Sequence, residues 1–121
     1  MIVEREFDCA ASSVGRARSF VVAAAAADDH TSDVLRLVVS ELATNAVLHA
    51  KSAFCVRVIS DDRLVRVEVV DESPELPTRR RFDPSAASGR GLAIIEKVAA
   101  RWGVTPEGSG KQVWVELAAP V

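Results

Sequence analysis

Apolar residues recur at helical spacing from Val34 to Ala50. At about 100° per residue, Leu35, Val38, Val39, Leu42 and Ala46 fall on one face, which predicts an amphipathic helix ending near Ala50 with Thr31 or Ser32 as its cap. A shorter helix is expected before it, capped by Ser12 or Ser13 and running to about Ala27. Gly15 weakens it near the start, where the penalty is smallest. Strand patterns surround this pair. Ile2–Phe7 mixes apolar and charged residues, as a half-exposed strand at a sheet edge would. Phe54–Ile59 and Leu64–Val70 are rich in β-branched residues, and Asp61-Asp62-Arg63 between them is a hairpin signal. A third helix is predicted from Leu92 to about Ala100. Trp102–Thr105 and Gln112–Leu117 then close the chain around the turn Pro106–Lys111, with Val113, Val115 and Leu117 on one face of the last strand.

The order is therefore β-α-α-β-β, a long connection, then α-β-β. Helices do not alternate one by one with strands, which argues against a doubly wound parallel sheet. It predicts an α+β two-layer sandwich, with a mixed, largely antiparallel sheet and helices on one face. The other face would be exposed or covered by a partner. The connection from Asp71 to Ser88 holds Pro74, Pro77 and Pro84, the run Arg79-Arg80-Arg81 and several small residues. Connections of this length inside a small domain are commonly lids, binding loops or disordered segments. Arg79-Arg80-Arg81 reads as solvated charge, with a phosphate clamp or partner patch as the alternative.

Composition narrows the class. The 121 residues make one domain (1–121), and 49% hydrophobic with 26% charged content suits a folded globule. A net charge of −2 speaks against a general nucleic-acid binder. Cys9 and Cys55 form neither metal spacing nor a disulfide framework and are expected to be small buried thiols in a reducing cytoplasm. No signal peptide and no apolar run of membrane-spanning length are visible, so a cytoplasmic protein is expected.

The chemistry is concentrated in Ser40-Glu41-Leu42-Ala43-Thr44-Asn45-Ala46-Val47-Leu48-His49-Ala50. Glu41, Asn45 and His49 stand at i, i+4 and i+8. Glu41 and Asn45 lie beside the apolar face, flanked by Val34, Leu37 and Leu48 rather than by charges. An amide oxygen there can ligate Mg²⁺, and a carboxylate can take a proton or hold a water of the metal. A polar pair tying the helix to a loop would look the same. Further on, Asp71 ends a strand in Val69-Val70-Asp71-Glu72-Ser73, where a carboxylate can accept from an exocyclic amine or simply mark a turn. In Ser88-Gly89-Arg90-Gly91-Leu92, two glycines precede a helix whose free N–H groups suit phosphates. This run matches neither a Walker nor a Rossmann fingerprint.

Together, in this order, the Glu-x-x-x-Asn helix, the strand-end aspartate and the lid closing on Gly-x-Gly-Leu resemble the GHKL ATPase superfamily and its Bergerat fold. Within it the chain looks most like the small anti-sigma-factor serine kinases of bacteria and their actinobacterial stand-alone relatives. Glu41 through Ala50 carries that likeness best, and Gly110-Lys111-Gln112-Val113-Trp114 resembles the family's closing strand. The resemblance implies ATP and Mg²⁺ as cofactors. Asn45 would hold Mg²⁺, Glu41 would act as general base or orient a water, and Asp71 would bind the adenine amine, with Ser73 beside it. Gly89, Arg90, Gly91 and Leu92 would line the triphosphate. His49 reads as a packing residue at the helix end that could also reach a phosphate or the lid. The implied activity is ATP-dependent serine/threonine kinase action on an anti-sigma antagonist, with a sigma factor as second partner and a possible homodimer. No nucleic acid or membrane is implied as a partner. The alternative is a non-catalytic ATP-binding partner switch. Three departures bear on this: Asp71-Glu72-Ser73-Pro74-Glu75 lacks the glycines that follow the aspartate in many members, Gln112 stands where a threonine is common, and the lid is short.

Overall fold

The computed structural model describes residues 1–73 and 91–118. Its elements run β1 (Ile2–Phe7), α1 (Ala11–Ala25), α2 (Asp29–Asn45), a π-helical turn (Ala46–Ala50), β2 (Phe54–Ser60), β3 (Leu64–Asp71), α3 (Gly91–Val98), β4 (Arg101–Glu107) and β5 (Gly110–Ala118). The strands form one sheet in the order β1-β2-β3-β5-β4, and every pairing is antiparallel. The α+β sandwich with a largely antiparallel sheet is the architecture observed, and β1 is indeed an edge strand.

Register explains which residues meet the helices. Phe54, Val56 and Val58 of β2 stand opposite Asp71, Val69 and Val67 of β3, which in turn face Lys111, Val113 and Val115 of β5. Side chains alternate across a strand, so these positions share one face. The valines among them, with Phe7, Phe54, Val65 and Leu117, are buried against Ala17 and Val21 of α1, Leu35, Val38, Val39, Leu42 and Ala43 of α2, and Ile95 of α3. This apolar interior ends in a single polar row: Asp71 and Lys111 occupy core-facing positions.

The opposite face is covered by its own charged side chains. Arg57 on β2 contacts Glu4 on β1, Glu68 on β3 and Glu107 on β4. Arg66 on β3 bridges Glu68 and Glu116, and Arg101 on β4 also reaches Glu116. The Arg66 guanidinium lies 4.3 Å from the ring centroid of Trp114, and that indole sits over Gly103, where a Cβ would come within 2.6 Å of it. Glu68, Gln112 and Glu116 are buried as a result. A single layer of side chains thus does much of what a covering partner would do.

Three local expectations need correction. The N-cap of α2 is Asp28, whose carboxylate accepts from the Thr31 N–H at 2.8 Å, so the helix starts at Asp29, two or three residues before the predicted cap. Thr31 and Ser32 lie inside it, buried. Helix α1 starts after Ala10 without a side-chain cap, and Ser13 instead donates to the Asp8 carboxylate at 2.6 Å from a buried position within the first turn. The cysteines are not buried: Cys9 is exposed and Cys55 partly exposed, both as free thiols. Cys55 follows core residue Phe54, and alternation turns it to the outer face beside Glu4. Burial and then the Glu4 carboxylate push its thiol above the ordinary range.

Candidate functional site

Helix α2 buries Leu35, Val38, Val39 and Leu42, and Ala46 is buried just past its end, the face that the periodicity predicts; Ala43 is buried beside them. That leaves Glu41 on the flank, half-buried, and puts Asn45 at the last α-helical position with only 6% of its surface exposed. Leu37 and Leu48 flank the pair from the outside and are 39% and 56% exposed, so they form an apolar rim rather than an enclosing wall. Burial raises the Glu41 carboxyl above its ordinary value. Such a group is a better proton acceptor near neutral pH than a solvated glutamate.

Asn45 Oδ1 is buried and has no hydrogen-bond partner among the described residues. A buried acceptor left unmatched costs about 1–3 kcal/mol, so it calls for a reason. A hard cation supplies one. Mg²⁺ prefers oxygen ligands, keeps several waters and is commonly held by one or two protein groups plus substrate phosphates. The described residues contain no cluster of three His, Cys, Asp or Glu able to hold a metal by themselves. An ion that arrives with a nucleotide would fit here, with the Asn45 oxygen as one ligand and Glu41 one turn away.

After Asn45 the helix widens. Ala46–Ala50 form a π turn, closed by the Lys51 N–H donating to the Ala46 carbonyl with Lys51 in the left-handed region at φ 51°. Such turns are rare and frequently mark functional sites. The extra residue takes His49 off the α-helical register, so the predicted i, i+4, i+8 line holds for Glu41 and Asn45 only. His49 is half-buried within the turn.

Ser52 connects this helix end to the strand-end aspartate. Its N–H donates to the Ala46 carbonyl at 3.4 Å, and its Oγ accepts from the Glu72 N–H at 3.1 Å. The residues following Asn45 and Asp71 are thus held to one serine, and the π turn packs against β3. Asp71 is buried at the end of β3, as predicted. Its surroundings were not predicted. Lys111 Nζ lies 3.1 Å from Oδ1 and 2.9 Å from Oδ2, and the Ser73 N–H donates to Oδ1 at 2.9 Å. Gly110 makes this approach possible, because a Cβ there would lie 1.8 Å from the Asp71 carbonyl oxygen.

Of the residues singled out in the sequence, Glu41, Asn45, His49, Asp71 and Ser73 are thus placed on the α2 end and the adjoining β3 end. Gly91 and Leu92 open α3, and α3 packs against α2. Gly89, Arg90 and the lid from Pro74 onward lie outside the described residues. Two residues were missed. Ser52 carries no sequence signal, since a serine after a helix is ordinary. Lys111 had one: if Val113, Val115 and Leu117 face the core, so does Lys111.

The fold is a two-layer α+β sandwich with a buried, unmatched amide oxygen at the end of one helix. A family model described as a histidine kinase-like ATPase domain matches residues 7–117, and the chain belongs to that family. The match supports an ATP-binding function and agrees with the GHKL-type fold implied by the motifs. A search of curated proteins finds no match to the chain. Among the described residues, no helix is long and apolar enough to cross a membrane.

Proposed function

We propose that this protein is an ATP-binding regulator that acts by partner switching, as an anti-sigma factor that phosphorylates a serine or threonine of an antagonist protein. The observation that carries the nucleotide part is the buried, unmatched Oδ1 of Asn45 one turn from Glu41. Mg·ATP would supply the transferable phosphoryl group and the charge that neutralises it. The chain's own contribution is positioning and proton handling: Asn45 holds the ion, and the half-buried Glu41 carboxylate accepts the proton of the attacking hydroxyl. The raised proton affinity of Glu41 supports that role. The sigma factor and the antagonist as partners rest on the resemblance of Glu41 through Ala50 to anti-sigma kinases.

A second reading, a module that switches partners without phosphoryl transfer, is favoured by the buried pairing of Asp71 with Lys111. Calorimetry with Mg·ATP tests the shared part: binding by the wild type that disappears in Asn45→Ala is expected. Transfer of labelled phosphate to an antagonist, lost in Glu41→Gln with nucleotide binding retained, would then select the kinase. Nucleotide binding without transfer would select the switch.

A further inference from the structure

Lys111 and Asp71 make a closed pair at the core-facing end of the sheet. Their side chains are 4% and 3% exposed, and they stand directly opposite each other in the β3–β5 register. An ammonium has three N–H donors. Among the described residues three oxygens surround this one: Asp71 Oδ1 at 3.1 Å, Asp71 Oδ2 at 2.9 Å and the Ser73 carbonyl at 3.3 Å. No donor is left over for an incoming base. On the carboxylate, Oδ1 already accepts from both Lys111 and the Ser73 N–H, and Oδ2 accepts from Lys111, so a ligand amine would have to share Oδ2 with a charged donor. A charged donor therefore sits where the resemblance would put a neutral purine amine. Displacing it would strand a buried ammonium, which is far costlier than leaving an amine in water.

We propose that Lys111 sets the nucleotide affinity and base selectivity of this protein by acting as a built-in occupant of the amine acceptor on Asp71. The inference rests on the reading of Asp71 as the base-facing carboxylate of an ATP site. The nucleotide-free state is the internally satisfied one, and a bound base gains little from Asp71. Affinity then derives from the phosphate end, and adenine is weakly distinguished from purines without an amine. Replacing Lys111 by an apolar residue reverses both properties. The carboxylate loses its counterion in the free protein, and the ligand amine becomes its best available donor.

The test is calorimetry and thermal melting of the wild type and Lys111→Met with Mg·ATP and with the purine triphosphate lacking the 6-amine. Lys111→Met should melt lower without ligand yet bind Mg·ATP about tenfold more tightly, the range of a hydrogen bond to a charged group. That gain should be absent for the ligand without the amine. In the wild type the two ligands should bind within about twofold of each other. Unchanged or weaker Mg·ATP binding by Lys111→Met, beside a wild type that binds, would overturn the role of Lys111 and leave the ATP site standing. If neither protein binds any nucleotide, the ATP-site reading fails and this inference with it. Should Lys111→Met not fold, Lys111→Gln replaces it with the same expected direction. A wild type that loses tenfold on removal of the ligand amine would overturn the proposal without any variant.

Discussion

Two buried polar groups near one end of the sandwich stand in opposite conditions. Asn45 presents an oxygen without a partner among the described residues, whereas Asp71 is held by a buried lysine and a backbone N–H. The first leaves the fold less stable than it could be, which is why the proposed function gives it a cation. The second is content without any ligand. Both positions came from motif matching, and the motif alone does not distinguish them. Only the neighbours show that one of the two groups is unmatched and the other already paired.

The contrast can be broken hardest at Asp71. Asp71→Ala strands the Lys111 ammonium in the interior and should destabilise the protein by about 3–5 kcal/mol in urea unfolding. Asp71→Ala combined with Lys111→Met should recover most of that loss, since an apolar pair of similar volume needs no counterion. A loss in the single variant no larger than that of an average surface change would mean the pair is solvated. Gly110→Ala comes next. The added methyl meets the Asp71 carbonyl and forces β3 and β5 apart, a clash expected to cost about 1–3 kcal/mol and to show as a lower urea midpoint at unchanged slope.

Asn45→Ala should change stability by less than about 1 kcal/mol, because the lost packing is offset by removal of an unmatched acceptor. Mg·ATP binding should nevertheless vanish. A destabilisation as large as that of Asp71→Ala would place Asn45 among structural residues instead.

Smaller still are two titrations of opposite sign. The Glu41 carboxyl is raised by burial, so the native state holds its proton to higher pH than the unfolded chain does. Its ionisation therefore opposes folding at neutral pH, and stability from this group falls as pH rises through that window. Glu41→Gln should melt slightly higher than wild type at pH 7, and the gain should disappear in acid, below the ordinary carboxylate range. Asp28 behaves the other way. Hydrogen bonding to Thr31 lowers it, so its cap contribution is present above the unfolded value and is lost as pH falls through the native one. Melting of Asp28→Ala against pH should show a small deficit at neutrality that closes in acid.

Much of the fold was legible because patterns with strict periods report faces directly. The α2 stripe, the strand alternation and the edge position of β1 all follow from them. Helix starts were less legible, since Asp28, Thr31 and Ser32 are all competent caps and only backbone direction chooses among them. Cys55 was misplaced for a related reason, since an apolar neighbourhood in sequence does not say which side of a strand a residue occupies, and Cys9 falls in the bend between β1 and α1. In the site, Glu41 and Asn45 could be found from spacing. Their difference from Asp71 could not, because the lysine that matters is 40 residues further along the chain. The π turn was invisible as well, since nothing in Ala46-Val47-Leu48-His49-Ala50 departs from α-helical composition.

The charged roof on the outer sheet face carries a kinetic consequence. Its members come from Glu4, Arg57, Arg66, Glu68, Arg101, Glu107 and Glu116, on all five strands and from both ends of the chain. Arg57 meets Glu4 and Glu68, and Arg66 meets Glu68, within β1–β3, but the contacts to Glu107 and Glu116 exist only once β4 and β5 are in place. Contacts of this sequence span form late on the folding route. They contribute little to the speed of folding and chiefly slow the reverse reaction. The native state should thus resist opening for longer than its equilibrium stability alone would suggest, and salt that screens the roof should shorten that lifetime first.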